Sequence, residues 1–276
     1  MTDQQTLVTF GCSWTQGIGA CYTPDITTLE QYNLVKGSKS FRYAFRNILA
    51  EKFNLQNHNF ALHGASNDYN FDQASKIFGN AEKKKNFLDS NPVVLWGITS
   101  TARLYRNEKT IHLKPDRPAS ILLFLEEPYI NAPSNEDLKH ILQNQETLYS
   151  TLYLKLYYDH QKEVDRLANQ IEVWNDVFEY HKVPVIWFDS FNTHAYNNSP
   201  RNFIKVDLLS QMLQHQNLTF RTEKKWYHLS EFLNDDDRIT VGVKNQLLNP
   251  FSFHPSQEGH QLISQILAPF VQQHVV

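Results

Sequence analysis

The chain has little of several features that would assign it to a large protein class. Cys12 and Cys21 are the two cysteines in 276 residues; they cannot staple a domain of this size, and their spacing fits no zinc ligand pattern. A reducing, cytoplasmic setting is expected from that usage. There is no basic excess: 26 Lys plus Arg stand against 29 Asp plus Glu, a formal charge of −3. A duplex-binding protein normally presents a basic face, so no nucleic-acid partner is expected. No apolar run approaches the length of a bilayer span, and Met1 to Gln5 lack the basic start of a signal peptide, so no membrane partner is expected either. Internal repeats and low-complexity tracts are missing as well.

What is present suits one soluble α/β domain over residues 1–276. Hydrophobic residues make up 41 % of the chain, with 18 Phe, 13 Tyr and 5 Trp, enough for a sizeable core. The charge runs Lys83-Lys84-Lys85 and Asp235-Asp236-Asp237 read as solvated turns.

Short apolar runs alternate with amphipathic stretches. Leu7 to Phe10 is β-branched, stops at Gly11 and reads as a buried strand. Helical spacing links Phe41, Ala44, Phe45, Ile48, Leu49 and Phe53, with Ser38 or Ser40 as N-cap. A second strand is expected from His58 to Leu62, followed by a helix that Asn67 or Asp68 caps. Pro92 to Ile98 and Val183 to Asp189 are two more buried strands. Val164, Leu167, Ala168, Ile171, Trp174 and Phe178 form a long stripe between them. A weak fifth strand falls at Arg238 to Val243, and the last helix starts near Ser256. The insertion from about 105 to 158 holds four prolines. This alternation predicts a three-layer α/β/α domain with a flavodoxin-like parallel sheet and a helical insertion.

Ligands of such sheets bind outside the carboxyl ends of the strands, which directs attention to the loops there. Gly11-Cys12-Ser13-Trp14-Thr15-Gln16-Gly17 places a serine on a tight turn beside free backbone N–H groups, an arrangement that serves a nucleophile and its oxyanion. The competing reading is that Ser13 merely caps the next segment. In Phe253-His254-Pro255-Ser256-Gln257-Glu258-Gly259-His260, Pro255 and Ser256 hold His254 just outside the last helix, a position suited to a general base. His63-Gly64-Ala65-Ser66-Asn67 lets backbone approach a ligand closely, and Gly97-Ile98-Thr99-Ser100-Thr101 offers hydroxyl donors.

Together these motifs resemble the SGNH (GDSL-type) hydrolases, esterases and lipases on a flavodoxin-like sheet, from about Val8 to Leu267. The resemblance implies Ser13 as nucleophile and His254 as base. It also implies an oxyanion hole from the N–H groups of Ser13 and Gly64; Thr99 or Asn67 is placed to help hold the oxyanion. Three positions depart from the family pattern. Cys12 stands where Asp is usual, Thr99 where an oxyanion asparagine is usual, and Phe251, three before His254, where the triad Asp is usual. A buried carboxylate on the base can be worth about 10⁴ in rate. The role falls to a backbone carbonyl near Phe251, to Asp189, or to one of Asp235, Asp236 and Asp237; otherwise the protein hydrolyses nothing.

Three functions compete. The first is a serine esterase removing a small acyl group, such as a carbohydrate O-acetyl, or its acyltransferase variant. The second is a non-catalytic module in which Trp14, Tyr69, Tyr105 and Trp226 stack on sugars. The third is a nucleotide binder, which lacks a P-loop lysine after Gly17 and has too short a glycine pattern at Gly17 to Ala20. His254 and His260 are six apart, which does not suit two metal ligands on one helical face. The expectation is a small-molecule or carbohydrate ester as partner, with no cofactor and no metal.

Overall fold

The computed structural model describes residues 4–35, 38–101, 103–106, 109–112, 153, 157–190, 194, 196–207 and 254–275. Five parallel strands form the central sheet: β1 (Thr6–Phe10), β2 (Gln56–Asn59), β3 (Pro92–Ile98), β6 (Val185–Asp189) and β7 (Phe203–Asp207). Their spatial order is β2-β1-β3-β6-β7. In chain order that is second, first, third, fourth, fifth, the flavodoxin-like arrangement, whose switch point lies between β1 and β3. A separate antiparallel hairpin pairs β4 (Arg103–Arg106) with β5 (Lys109–His112), across the point where the insertion was expected to begin.

Side chains alternate across the strands and split the core into two layers. Leu7, Val93, Leu95, Ile186 and Phe188 point to one face. There they pack against Phe45 and Leu49 of α3 (Phe45–Lys52) and Leu262, Ile263, Leu267 and Val271 of the C-terminal helix α7 (Gln257–Gln272). Val8, Phe10, Val94, Trp96 and Trp187 point to the other. They meet Phe71, Ala74 and Ile77 of α4 (Asn67–Phe78), Phe87 of α5 (Ala81–Asp89), and Leu167, Ile171 and Phe178 of α6 (His160–Tyr180). The result is a three-layer α/β/α fold. Fully burying one such side chain contributes about 1.5–3 kcal/mol, and the indole N–H of Trp187 finds Asn175 Oδ1 at 2.8 Å.

Several expected boundaries move, each for a local reason. The second strand ends at Asn59, but the chain stays beside β1, because Phe60 N donates to Thr9 O and Leu62 N to Gly11 O. Ser38–Tyr43 is a 3-10 segment, and α3 starts at Phe45 with Ala44, not Ser38 or Ser40, at its N-cap and no side-chain cap bond. The Phe45 N–H instead donates to His260 Nδ1 of α7 at 3.4 Å. Ser66, not Asn67 or Asp68, caps α4, its Oγ accepting from Tyr69 N. The lysine run is solvated as expected but helical, lying within α5 behind an Asn80 cap. The fifth strand of the sheet is β7, which the sequence reading did not name; Arg238 to Val243 lies outside the described residues.

Candidate active site

Gly11 breaks β1 with φ +151°, and a Cβ there would lie 2.3 Å from Thr15 Oγ1. Only glycine lets the chain turn this tightly against the next segment. A single helical turn, α1 (Ser13–Gln16), follows, and left-handed Gly17 closes it. Cys12 occupies its N-cap with no side-chain cap bond, so Ser13 is the first helical residue and caps nothing. The Ser13 hydroxyl is spent elsewhere. Its Oγ lies 2.8 Å from His254 Nε2, although 241 residues separate the two in sequence. Both are buried, Ser13 at 3 % and His254 at 8 % exposure.

The backbone around His254 holds that distance. Ser256 Oγ accepts from Gly259 N at 3.1 Å and starts α7, leaving His254 on the loop before it. Gly19, at φ +87°, would carry a Cβ only 2.9 Å from His254 Cβ and 2.5 Å from Pro255 O. The loop after α1 therefore wedges directly against His254, and Gln257 N donates to Tyr22 O to lock it. His260 adds a second brace. It is fully buried, accepts from Phe45 N through Nδ1, and through Nε2 reaches Ile18 O at 3.4 Å. Burial holds it neutral, with its pKa down to about 3.

The loop after β2 comes to the same place. Gly64 turns with φ +75°, and the neighbouring His63 ring sits 6.0 Å from the His254 ring. Burial, then the charge of Arg103, lowers the pKa of His63. Asn67 and Thr99 form a reciprocal clamp. Asn67 Nδ2 donates to Thr99 O at 2.8 Å, and Thr99 N donates to Asn67 Oδ1 at 2.9 Å. The Thr99 N–H is thus committed, and the buried Thr99 Oγ1, without a partner among the described residues, is the donor this position can still offer. Asn67 serves first to fix the loop after β3 to the start of α4.

Asp189, one of the candidate acids, orients a different histidine. Its Oδ1 lies 2.6 Å from His194 Nδ1, and its Oδ2 accepts from His194 N. Asp235, Asp236, Asp237 and Phe251 lie outside the described residues. Among the proposed sugar-stacking aromatics, Trp14 is 2 % exposed and belongs to the α3/α7 core layer, so it stacks on no ligand. Trp226 and the Tyr105 side chain lie outside the described residues.

Two residues at the site escaped the sequence reading. Asn70 is fully buried, accepting from Gly11 N at 3.2 Å and donating to Ser66 O at 3.0 Å. Its signal was an asparagine three residues after Asn67 on the apolar stripe of α4. Arg103, at the start of β4, is 7 % exposed and donates through Nη1 to Ala65 O. Nothing around it in the sequence marked it as buried. Among the described residues no group of His, Cys, Asp and Glu side chains is arranged to hold a metal ion. No described helix is long and apolar enough to cross a membrane.

No protein-family model matches the chain, and no curated protein does. Solved structures match it over nearly its full length at low identity. The psychrotrophic esterase EstA from Pseudoalteromonas sp. is 10 % identical, over 98 % of this chain and 98 % of that one, with TM-score 0.40. The acetyl xylan esterase Est2A from Butyrivibrio proteoclasticus is also 10 % identical, over 98 % of this chain and 64 % of that one, with TM-score 0.43. A lipase/acylhydrolase from Enterococcus faecalis is 13 % identical, over 99 % and 98 %, with TM-score 0.30. The chain is similar to these proteins at that level.

Proposed function

We propose that the protein is a serine esterase that transfers a small acyl group from an ester to Ser13 and then to water. The observation that carries this reading is the 2.8 Å contact between Ser13 Oγ and His254 Nε2, buried beyond the carboxyl end of β1. A serine hydroxyl is a weak nucleophile unless a base within hydrogen-bond reach takes its proton. His254 fills that role. Ser13 Oγ attacks the ester carbonyl as its proton passes to His254 Nε2. The N–H groups of Ser13 and Gly64 receive the oxyanion, with Thr99 Oγ1 as a further donor. His254 then returns the proton to the departing alcohol, and a water, deprotonated by the same ring, releases the acyl group as a carboxylic acid.

The low exposure of Ser13 and His254 favours a small acyl group beside the nucleophile, such as acetyl. The alcohol half leaves across the switch-point crevice, where a carbohydrate O-acetyl ester fits the polar loops after β2 and β3. Orientation of the base comes from the backbone wedge of Gly19 and from the helix start at Ser256. Hydrolysis of p-nitrophenyl acetate by the purified protein tests the proposal. Turnover that S13A removes supports it, and turnover that S13A leaves at full rate refutes the assignment.

A further inference from the structure

We propose that Arg103 is a positioning residue for the oxyanion hole, tying the Ser13 turn to the Gly64 loop and fixing a positive charge behind both. The inference rests on Ser13 being the nucleophile. Its own support is the placement of one buried guanidinium between two separate loops. Nη1 donates to the carbonyl of Ala65, the residue after Gly64, at 3.2 Å. The Cys12 thiol, on the residue before Ser13, lies beside the same guanidinium and raises its pKa against the lowering that burial imposes. The two N–H groups assigned to the oxyanion therefore belong to residues adjacent to the two groups that flank Arg103.

Such a tie meets a need that this site creates. Ser13 and Gly64 follow different strands, β1 and β2, and their N–H groups help only if the loops keep a fixed relative position. The next loop contributes little backbone, since Asn67 already takes the Thr99 N–H. A guanidinium suits the task because it is planar, carries five donors and remains charged at working pH. Its charge reaches the site: burial first, and then Arg103, lowers the pKa of the neighbouring His63. As Ser13 attacks, the carbonyl oxygen gains negative charge, and a fixed buried cation stabilises that state more than the neutral ester. Arg103 touches neither substrate nor reacting atoms in this scheme. It acts through Cys12 and Ala65.

The signature is a fall in kcat with little change in KM. R103M, checked for native circular dichroism, should lose about a hundredfold in kcat on p-nitrophenyl acetate, the loss typical of one oxyanion donor. Its KM should stay within about threefold, because ground-state binding is not the target. R103K, which restores a charge without the fork, should recover about a tenfold share of that loss. If R103M does not fold, C12V serves as the second variant; it removes one anchor, and kcat should fall about tenfold at unchanged KM by the same reasoning. Labelling of the wild-type protein by a fluorophosphonate separates the two hypotheses. If the wild type labels and R103M or C12V keeps full kcat, the role of Arg103 is refuted while the nucleophile stands. A loss in R103M that appears in KM alone, or that R103K does not relieve, also refutes it. If the wild type does not label, the nucleophile fails and the role of Arg103 fails with it.

Discussion

Two buried histidines sit beyond the carboxyl ends of the sheet, and they are partnered in opposite ways. His254 meets a hydroxyl, Ser13 Oγ, at 2.8 Å; His194 meets a carboxylate, Asp189 Oδ1, at 2.6 Å. The first pair joins residues 241 apart and bridges the loop after β1 to the start of α7. The second joins residues five apart, at the carboxyl end of β6. Ser13, His254 and Asp189, which the sequence could place in one triad, are here found in two pairs, each on its own imidazole. On the proposed mechanism the long-range pair moves a proton between ends of the chain that only the fold brings together. The short-range pair instead fixes His194, with Asp189 bonding both the ring and the backbone N–H of that residue.

The comparison predicts that activity and stability separate between the two regions. The largest effect is expected at the first pair. S13A and H254A should each lower kcat on a short-chain ester by about 10³-fold or more, and the double variant should be little worse, since the two act as a unit. A double variant much slower than either single one would show independent roles.

D189A should do the reverse. It removes the acceptor that the ring and the backbone N–H of buried His194 share, and a buried donor left unsatisfied typically costs about 1–3 kcal/mol. The check is urea denaturation, with kcat of the folded fraction staying within severalfold of wild type. A collapse of kcat at unchanged stability would return Asp189 to the catalytic machinery.

A third effect follows from His260, the neutral brace behind His254. Its folded pKa of about 3 lies below the ordinary 6.5. Between those values the unfolded chain binds a proton that the folded one does not. Its contribution is therefore complete above pH 6.5 and declines as the pH falls toward 3, by about 1.4 kcal/mol per pH unit at most. Denaturation midpoints of wild type and H260Q from pH 7 to 4 measure this, and the difference in slope should vanish above pH 6.5. Equal slopes throughout would mean that His260 titrates normally.

The smallest expected effect joins the regions. A methyl at Gly97 would lie 2.6 Å from both Thr15 Oγ1, near the nucleophile, and Ser190 Oγ, beside Asp189. G97A should destabilise the fold by about 1–3 kcal/mol, as overpacking does. It should also lower kcat severalfold by displacing the turn that carries Ser13. An effect on stability alone would show that the Thr15 side of the contact gives way freely.

The parts of this molecule that were legible in the sequence are those where local pattern and tertiary role coincide. Leu7 and Val8 alternate between two core layers, and the run from Pro92 to Ile98 is β3 to the residue. The edge strand β2, Gln-Asn-His-Asn, carries no apolar side chain and was placed two residues late. Its existence follows from pairing with β1, which no local pattern records. Helix α5 hides in the same way, since Phe87 is its one buried side chain. At the site, Ser13, Gly64 and His254 each follow or precede an element with the turn chemistry their roles require. Asn70 and Arg103 were illegible because their partners are backbone groups of other loops, Gly11 N and Ala65 O. Residue type reveals a buried charge only when its partner is visible too.

The most direct test of the central claim is mass spectrometry of the protein after reaction with a fluorophosphonate. A single adduct on the peptide bearing Ser13, lost in S13A and strongly slowed in H254A, is the predicted result. An adduct on another serine, or none while the protein is folded, would contradict the account.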